Sequence, residues 1–167
     1  ASCLVGSEMC IRDRYRNVVG IFMNQLLQNK PLTIFGNGEQ SRAFSHVNDV
    51  APHIAKAVNT PEAYNKIFNI GSDSVYTVKE LAYTVSEVMK SNTEIQSLEQ
   101  RDEVIHAYAD HSKFDSVFNP VKTTNLKDGL TEMAHWVRKH GSRSSANFEA
   151  IEIAVSYTHL RAHETRG

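Results

Sequence analysis

The feature that most constrains this 167-residue chain is an alternation of short extended segments with amphipathic helical stretches, punctuated by Pro and Gly, running from residue 17 to residue 141. Such a pattern, without repeats or low-complexity linkers, predicts one α/β domain of about four helices with several short strands. Val18, Val19, Phe22, Met23, Leu26 and Leu27 recur at three- and four-residue spacing and predict a helix closed by Pro31. Leu32–Phe35 then reads as a short apolar strand. Gly36-Asn37-Gly38 supplies a turn, and Arg42–Val47 resumes an extended pattern in which Ala43, Ser45 and Val47 alternate with Arg42, Phe44 and His46.

The second half of the pattern is helix-rich. Asp49 is the expected N-cap of a helix that tolerates Pro52 in its first turn, presents Val50, Ile54, Ala57 and Val58 on one face, and is closed by Pro61. Lys66–Ile70 reads as a buried strand stopped by Gly71. Thr77 with Glu80 forms a capping box for a helix carrying Val78, Leu81, Val85, Val88 and Met89. A strand is predicted at Glu94–Leu98, followed by a polar segment, and Ala107–Phe118 reads as a strand end passing into a short helix broken by Asn119-Pro120. A last helix starts at Thr124 or Asn125, presents Leu126, Leu130, Met133 and Val137, and ends in the cationic turn Arg138-Lys139-His140 before Gly141.

The two ends depart from this pattern. Residues 4–13 (LVGSEMCIRD) and 155–164 (VSYTHLRAHE) carry no periodicity that continues into the adjoining chain. A DNA encoding Val155 to Glu164 can be written whose reverse complement encodes Leu4 to Asp13 residue for residue. An inverted repeat at both ends of a reading frame is what a ligated sequencing adapter leaves when translated. Residues 1–14 and 154–167 are therefore expected to be adapter-derived tails, and residues 15–153 the domain.

That division removes both cysteines, Cys3 and Cys10, and two of the eight histidines from consideration. A disulfide or zinc reading has little left to rest on. The remaining histidines do not share a helical face at ligand spacing: His106 and His111, like His135 and His140, are five residues apart. Locally bonded or surface histidines are the expectation, with no metal site. A formal net charge of −1 offers no electrostatic footprint for nucleic acid. No apolar run is long enough to span a membrane, and no targeting segment is visible, so the default compartment is the cytoplasm.

Gly36-Asn37-Gly38 does not continue into a phosphate-binding loop, since neither G-x-G-x-x-G nor a Lys-Ser/Thr ending follows. Arg42, at the head of a strand after a glycine turn, and Arg101, at the start of an irregular segment, are placed where a planar guanidinium can grip a diphosphate with two parallel hydrogen bonds. A lone arginine is by default a surface residue, and the order of the surrounding motifs decides otherwise.

The string PLTIFGNGEQSRAFSHVNDVA, followed by IFNIGSDSVYTVKELA and RDEVIHAYADHSK, resembles the C-terminal part of the extended short-chain dehydrogenases, specifically the NAD-dependent nucleotide-sugar epimerases and dehydratases of the UDP-glucose 4-epimerase kind. The resemblance spans roughly residues 17–141. It implies a C-terminal fragment of a Rossmann-type fold whose larger domain, holding NAD and the catalytic residues, is missing from this chain. It further implies a nucleotide-diphosphate sugar as ligand. Asn17 and Val18 correspond to positions lining the nucleotide site, Thr33 and Phe35 to the pair flanking the uracil, and Arg42 and Arg101 to diphosphate anchors. Glu103 and Tyr108 fall where the family contacts the ribose and sugar, although a Gly-Asp pair common after the arginine is here Asp102-Glu103.

The family's glycine-rich dinucleotide fingerprint is absent, and no Tyr is followed four residues later by the Lys that would lower its pKa. No catalytic residue and no NAD contact are therefore assigned here. The resemblance implies a full-length parent, expected as a homodimer, that oxidises C4 of a UDP-sugar with bound NAD, lets the keto sugar rotate, and returns the hydride to the other face. A 4,6-dehydratase, a decarboxylating relative, or a non-catalytic nucleotide-binding member are the alternatives. Helix faces that would normally pack on the missing domain are expected to remain as exposed apolar patches.

Overall fold

The computed structural model describes residues 17–100, 104–120 and 123–142. Residues 1–14 and 154–167, and Arg101 and Glu103 among the expected ligand contacts, lie outside the described residues. The chain divides after Ile21 and after Ser142; the compact unit is Phe22–Ser142, and of the other unit only residues 17–21 are described.

Five α-helices and five short strands make up the described chain, in the order α1 (Val18–Leu27), β1 (Leu32–Phe35), β2 (Ser41–Ala43), α2 (Val47–Ala57), β3 (Val75–Thr77), α3 (Val78–Met89), β4 (Ile95–Leu98), β5 (His106–Ala107), α4 (Ser112–Phe118) and α5 (Leu126–His140). The α/β class read from the sequence is the one observed, with α4 the short helix foreseen at the end of residues 107–118. Strand β1 pairs in parallel with β4, Leu32 opposite Ile95 through Phe35 opposite Leu98. A second sheet has the order β3-β2-β5, with β2 antiparallel to β3 and parallel to β5.

Local chemistry explains most boundaries. Helix α1 stops before Pro31 is reached, because Asn29 takes a left-handed conformation (φ 54°) and the amides of Asn29 and Lys30 close back on the carbonyls of Leu26 and Gln25. The Thr77–Glu80 capping box is present: Thr77 Oγ1 accepts from the Glu80 amide at 3.0 Å, and Glu80 Oε2 accepts from the Thr77 amide at 2.8 Å. Of the two expected starts for α5, Asn125 is the cap, accepting from the Asp128 amide at 3.1 Å, and Gly141 (φ 75°) ends the helix.

Three expectations fail around α2. The extended pattern over 42–47 stops at Ala43, because His46 caps α2 with its ring nitrogen, accepting from the Asn48 amide, and Val47 is already helical. Asp49 is consequently not the N-cap; it lies in the first turn and binds the chain ahead of α5, accepting from the Thr124 amide at 2.7 Å and the Thr124 hydroxyl at 3.0 Å. Pro52, expected in the first turn, sits in the middle of α2.

Lys66–Ile70 forms no strand. The alternation survives as side-chain exposure, Phe68 and Ile70 half-buried and Ile67 86% exposed, but no strand lies beside it among the described residues to complete a ladder.

The core of the compact unit is built by Phe22, Met23 and Leu26 of α1, Leu32 and Ile34 of β1, Val78, Leu81, Ala82 and Val85 of α3, and Leu130, Ala134 and Val137 of α5. Helix α3 packs chiefly on α5 and also touches β1 and β3. Phe114 and Phe118 of α4 stack on each other, with His53 and Phe68 meeting them edge-on. Helix α2 buries no residue: Ile54 is 61% exposed and Val58, just past its end, 72%, an open apolar face of the kind the sequence led us to expect.

Candidate functional site

Of the expected ligand contacts, Thr33 and Phe35 lie on β1, and the turn that follows leads straight to Arg42 on β2. The Gln25 side chain brackets Thr33, donating from Nε2 to Thr33 Oγ1 at 2.7 Å and accepting at Oε1 from the Thr33 amide at 3.3 Å. Thr33 is thereby fixed in rotamer by an amide that sequence reasoning did not single out. Phe35 closes the strand half-buried, and its carbonyl accepts from Gln40 Nε2 at 3.1 Å.

The turn between them is pinned from both sides. Asn37 Oδ1 accepts from the Glu39 amide at 3.1 Å, the self-bonded turn that Asn favours. Gly38 is buried at φ 77°, and its carbonyl accepts from the Lys79 amide at 3.1 Å, while the Gln40 carbonyl accepts from Val78 at 2.9 Å. The first turn of α3, whose own amides would otherwise lack partners, thus anchors the β1–β2 turn.

Arg42 is central in its sheet, opposite Tyr76 on one side and Ala107 on the other. Its Nη1 donates to the Ser41 carbonyl at 2.8 Å and to the Ile105 carbonyl at 3.1 Å, one from each side of the β2–β5 seam. Tyr108 follows Ala107 directly and is 71% exposed. The structure therefore brings Arg42 and Tyr108 to neighbouring positions across the seam, and sets Thr33 and Phe35 one turn away in sequence. Asn17 and Val18 open α1, with Asn17 Oδ1 accepting from the Val19 amide at 3.1 Å as the helix cap; they belong to the other unit.

Of the six described histidines, His46, His53 and His140 are bonded locally, as expected, whereas His106 and His111 have partners distant in sequence. His46, His53, His106, His111 and His140 each hold a hydrogen bond within the chain, and His111, which is buried, sits 2.6 Å from Asp73 Oδ1. No group of three metal-ligating side chains comes together among the described residues. Two carboxylates titrate below their usual range. Hydrogen bonds from the backbone and then the side chain of Thr77 hold Glu80 down, and those of Ser112 hold Asp110 down.

What the site offers is a guanidinium at a strand seam, an exposed phenol one residue past its partner Ala107, and a hydroxyl and an aromatic ring on the preceding strand, groups suited to holding a planar base and an anionic linker. Sequence reasoning missed the Ser41–His106 pair, at 2.8 Å between Ser41 Oγ and His106 Nδ1. With 65 residues between them, no local signal could have found it.

The fold is that of an α/β unit of the Rossmann-type epimerase/dehydratase class. The UDP-glucose 4-epimerase of Thermotoga maritima, solved with UDP-glucose, superimposes with a TM-score of 0.69 at 27% identity over 74% of this chain and 40% of its own. An uncharacterized UDP-glucose epimerase of Bacillus subtilis is 31% identical over 110 residues, 65% of this chain and 35% of the relative. UDP-glucuronic acid decarboxylase 4 of Arabidopsis thaliana is 34% identical over 91 residues, 54% of this chain and 20% of that protein. Residues 4–71 match the model of the NAD dependent epimerase/dehydratase family. The matched stretch begins inside the segment read from the sequence as a tail. The chain spans well under half the length of these relatives.

Proposed function

We propose that this chain is the nucleotide-sugar-binding portion of an NAD-dependent nucleotide-sugar epimerase of the UDP-glucose 4-epimerase kind, inactive by itself. The observation that carries this reading is the placement of Arg42, held by the Ser41 carbonyl of β2 and the Ile105 carbonyl just ahead of β5, opposite Ala107, which Tyr108 follows, and one turn in sequence from Thr33 and Phe35. In the proposed mode the uracil lies against Thr33 and Phe35, and Arg42 and Arg101 hold the diphosphate. Glu103 and Tyr108 meet the ribose and sugar, while Asn17 and Val18 line the nucleotide.

The described residues do not fit NAD. The pyrophosphate of a dinucleotide needs a glycine turn between a strand and a helix N-terminus. Here Gly36 and Gly38 join two strands, and a Cβ built at Gly38 would already meet Ile34 Cδ1 at 2.9 Å, so no cradle is open there. No Tyr-x-x-x-Lys occurs anywhere in the sequence. NAD and proton transfer are accordingly assigned to parts of the parent protein outside this chain.

The reading is tested by recovering the parent's upstream coding sequence and assaying the full-length protein for interconversion of UDP-glucose and UDP-galactose. A glycine fingerprint, a Tyr-x-x-x-Lys dyad and epimerisation are expected. A parent lacking both motifs would sink the proposal. A decarboxylating parent is the second reading, favoured by the similarity to the Arabidopsis decarboxylase; it predicts release of carbon dioxide from UDP-glucuronic acid instead.

A further inference from the structure

Arg42 owes its position to a very short seam. Strands β2 and β5 share two register pairs, Ser41 with His106 and Arg42 with Ala107, and a backbone bond of 2.7 Å from the Ser41 amide to the Ile105 carbonyl. That same Ile105 carbonyl accepts Arg42 Nη1, so the guanidinium reaches its place only while β5 lies on β2. A ladder this short holds weakly, since each backbone bond contributes only about 1 kcal/mol net. One side-chain bond reinforces it: Ser41 Oγ to His106 Nδ1 at 2.8 Å. Ser41 is only 7% exposed, so its hydroxyl depends on that partner for satisfaction.

We infer that the Ser41–His106 pair is a latch that positions Arg42 for the diphosphate, making His106 a positioning residue of the nucleotide-sugar site. The inference rests on the diphosphate role proposed above for Arg42. His106 acts through the seam: its Nδ1 holds β5 against Ser41, and the Ile105 carbonyl just ahead of β5 then orients Nη1. A guanidinium preset in this way does not have to be immobilised on binding, which is where the affinity gain arises. The remaining ring nitrogen, Nε2, is not needed for the latch. Asn at this position, whose amide can stand where Nδ1 does, should therefore substitute for the imidazole.

Calorimetric titration of the full chain with UDP and with uridine tests the latch, each variant being checked for an unchanged far-ultraviolet spectrum. Arg42→Ala should abolish the preference for UDP over uridine. His106→Ala should weaken UDP binding by roughly two- to tenfold, the worth of one hydrogen bond, and leave uridine binding unchanged. His106→Asn should restore UDP binding to within about twofold, and Ser41→Ala added to His106→Ala should cost nothing further, because the pair acts as one unit. Equal losses for UDP and uridine, unaltered UDP binding in His106→Ala, or failure of His106→Asn to restore it would each overturn the latch while leaving the diphosphate role of Arg42 intact. Wild-type binding of UDP by Arg42→Ala would overturn that role itself.

Discussion

Replacing Gly38 by Ala should be far more damaging than replacing its neighbour Gly36, although both glycines occupy the left-handed region, at φ 77° and 65°. The backbone penalty is common to both: a left-handed conformation costs an L-residue roughly 1–2 kcal/mol. The surroundings differ. A Cβ at Gly38 would stand 2.9 Å from Ile34 Cδ1, a core side chain only 4% exposed, and 3.1 Å from Lys79 Cβ, so room can be made only by shifting β1 from α3. Overpacking of that kind adds about 1–3 kcal/mol. At Gly36 the nearest atom is Gln100 Cγ at 3.4 Å, on an exposed side chain that can move aside.

Gly38→Ala is thus expected to destabilise by roughly 2–5 kcal/mol and Gly36→Ala by roughly 1–2 kcal/mol. Urea unfolding monitored by circular dichroism, with both variants and wild type in one buffer, reads the difference. Because Gly38 fixes the turn between Phe35 and Arg42, UDP affinity should fall with it. Equal destabilisation by the two substitutions would refute the packing argument. A loss under about 1 kcal/mol for Gly38→Ala would also refute the left-handed backbone assignment.

Thr77→Ala should cost about 1 kcal/mol in the same assay through loss of the α3 cap. Glu80 and Asp110 are held below their ordinary values of 4.5 and 3.8, so their stabilising contribution is complete above those values and lost as pH falls through the lowered ones. An acid titration of stability should therefore decline below about pH 4.5, less steeply in Thr77→Ala; an identical profile in wild type and variant would contradict the cap. Leu81→Ala, at a position with no exposure, should cost about 2–5 kcal/mol, whereas Ile67→Ser, at 86% exposure, should change stability by less than about 0.5 kcal/mol.

The elements legible in the sequence were those whose signals are local. The six-residue stripe of α1, the Thr77–Glu80 box of α3 and the Asn125 cap with Gly141 terminus of α5 are each fixed by side chains within one or two turns. Lys66–Ile70 failed because a strand depends on a neighbour that its own residues do not specify. The Asp49 cap failed because two polar side chains competed for the α2 amides, and His46 took them while Asp49 was drawn to Thr124, 75 residues away. The site divides along the same line. Arg42 could be singled out from its place after a glycine turn, but its two carbonyl partners and the Ser41–His106 bond exist only once β5 is docked.

The measurement that bears most directly on the nucleotide-sugar reading is a two-dimensional amide NMR titration of the chain with UDP. The account predicts saturable shifts concentrated at Thr33, Phe35, Arg42 and Tyr108, with little change on α5. No saturable shift at millimolar UDP, or shifts gathered on α5 while β1 and β2 stay silent, would contradict it.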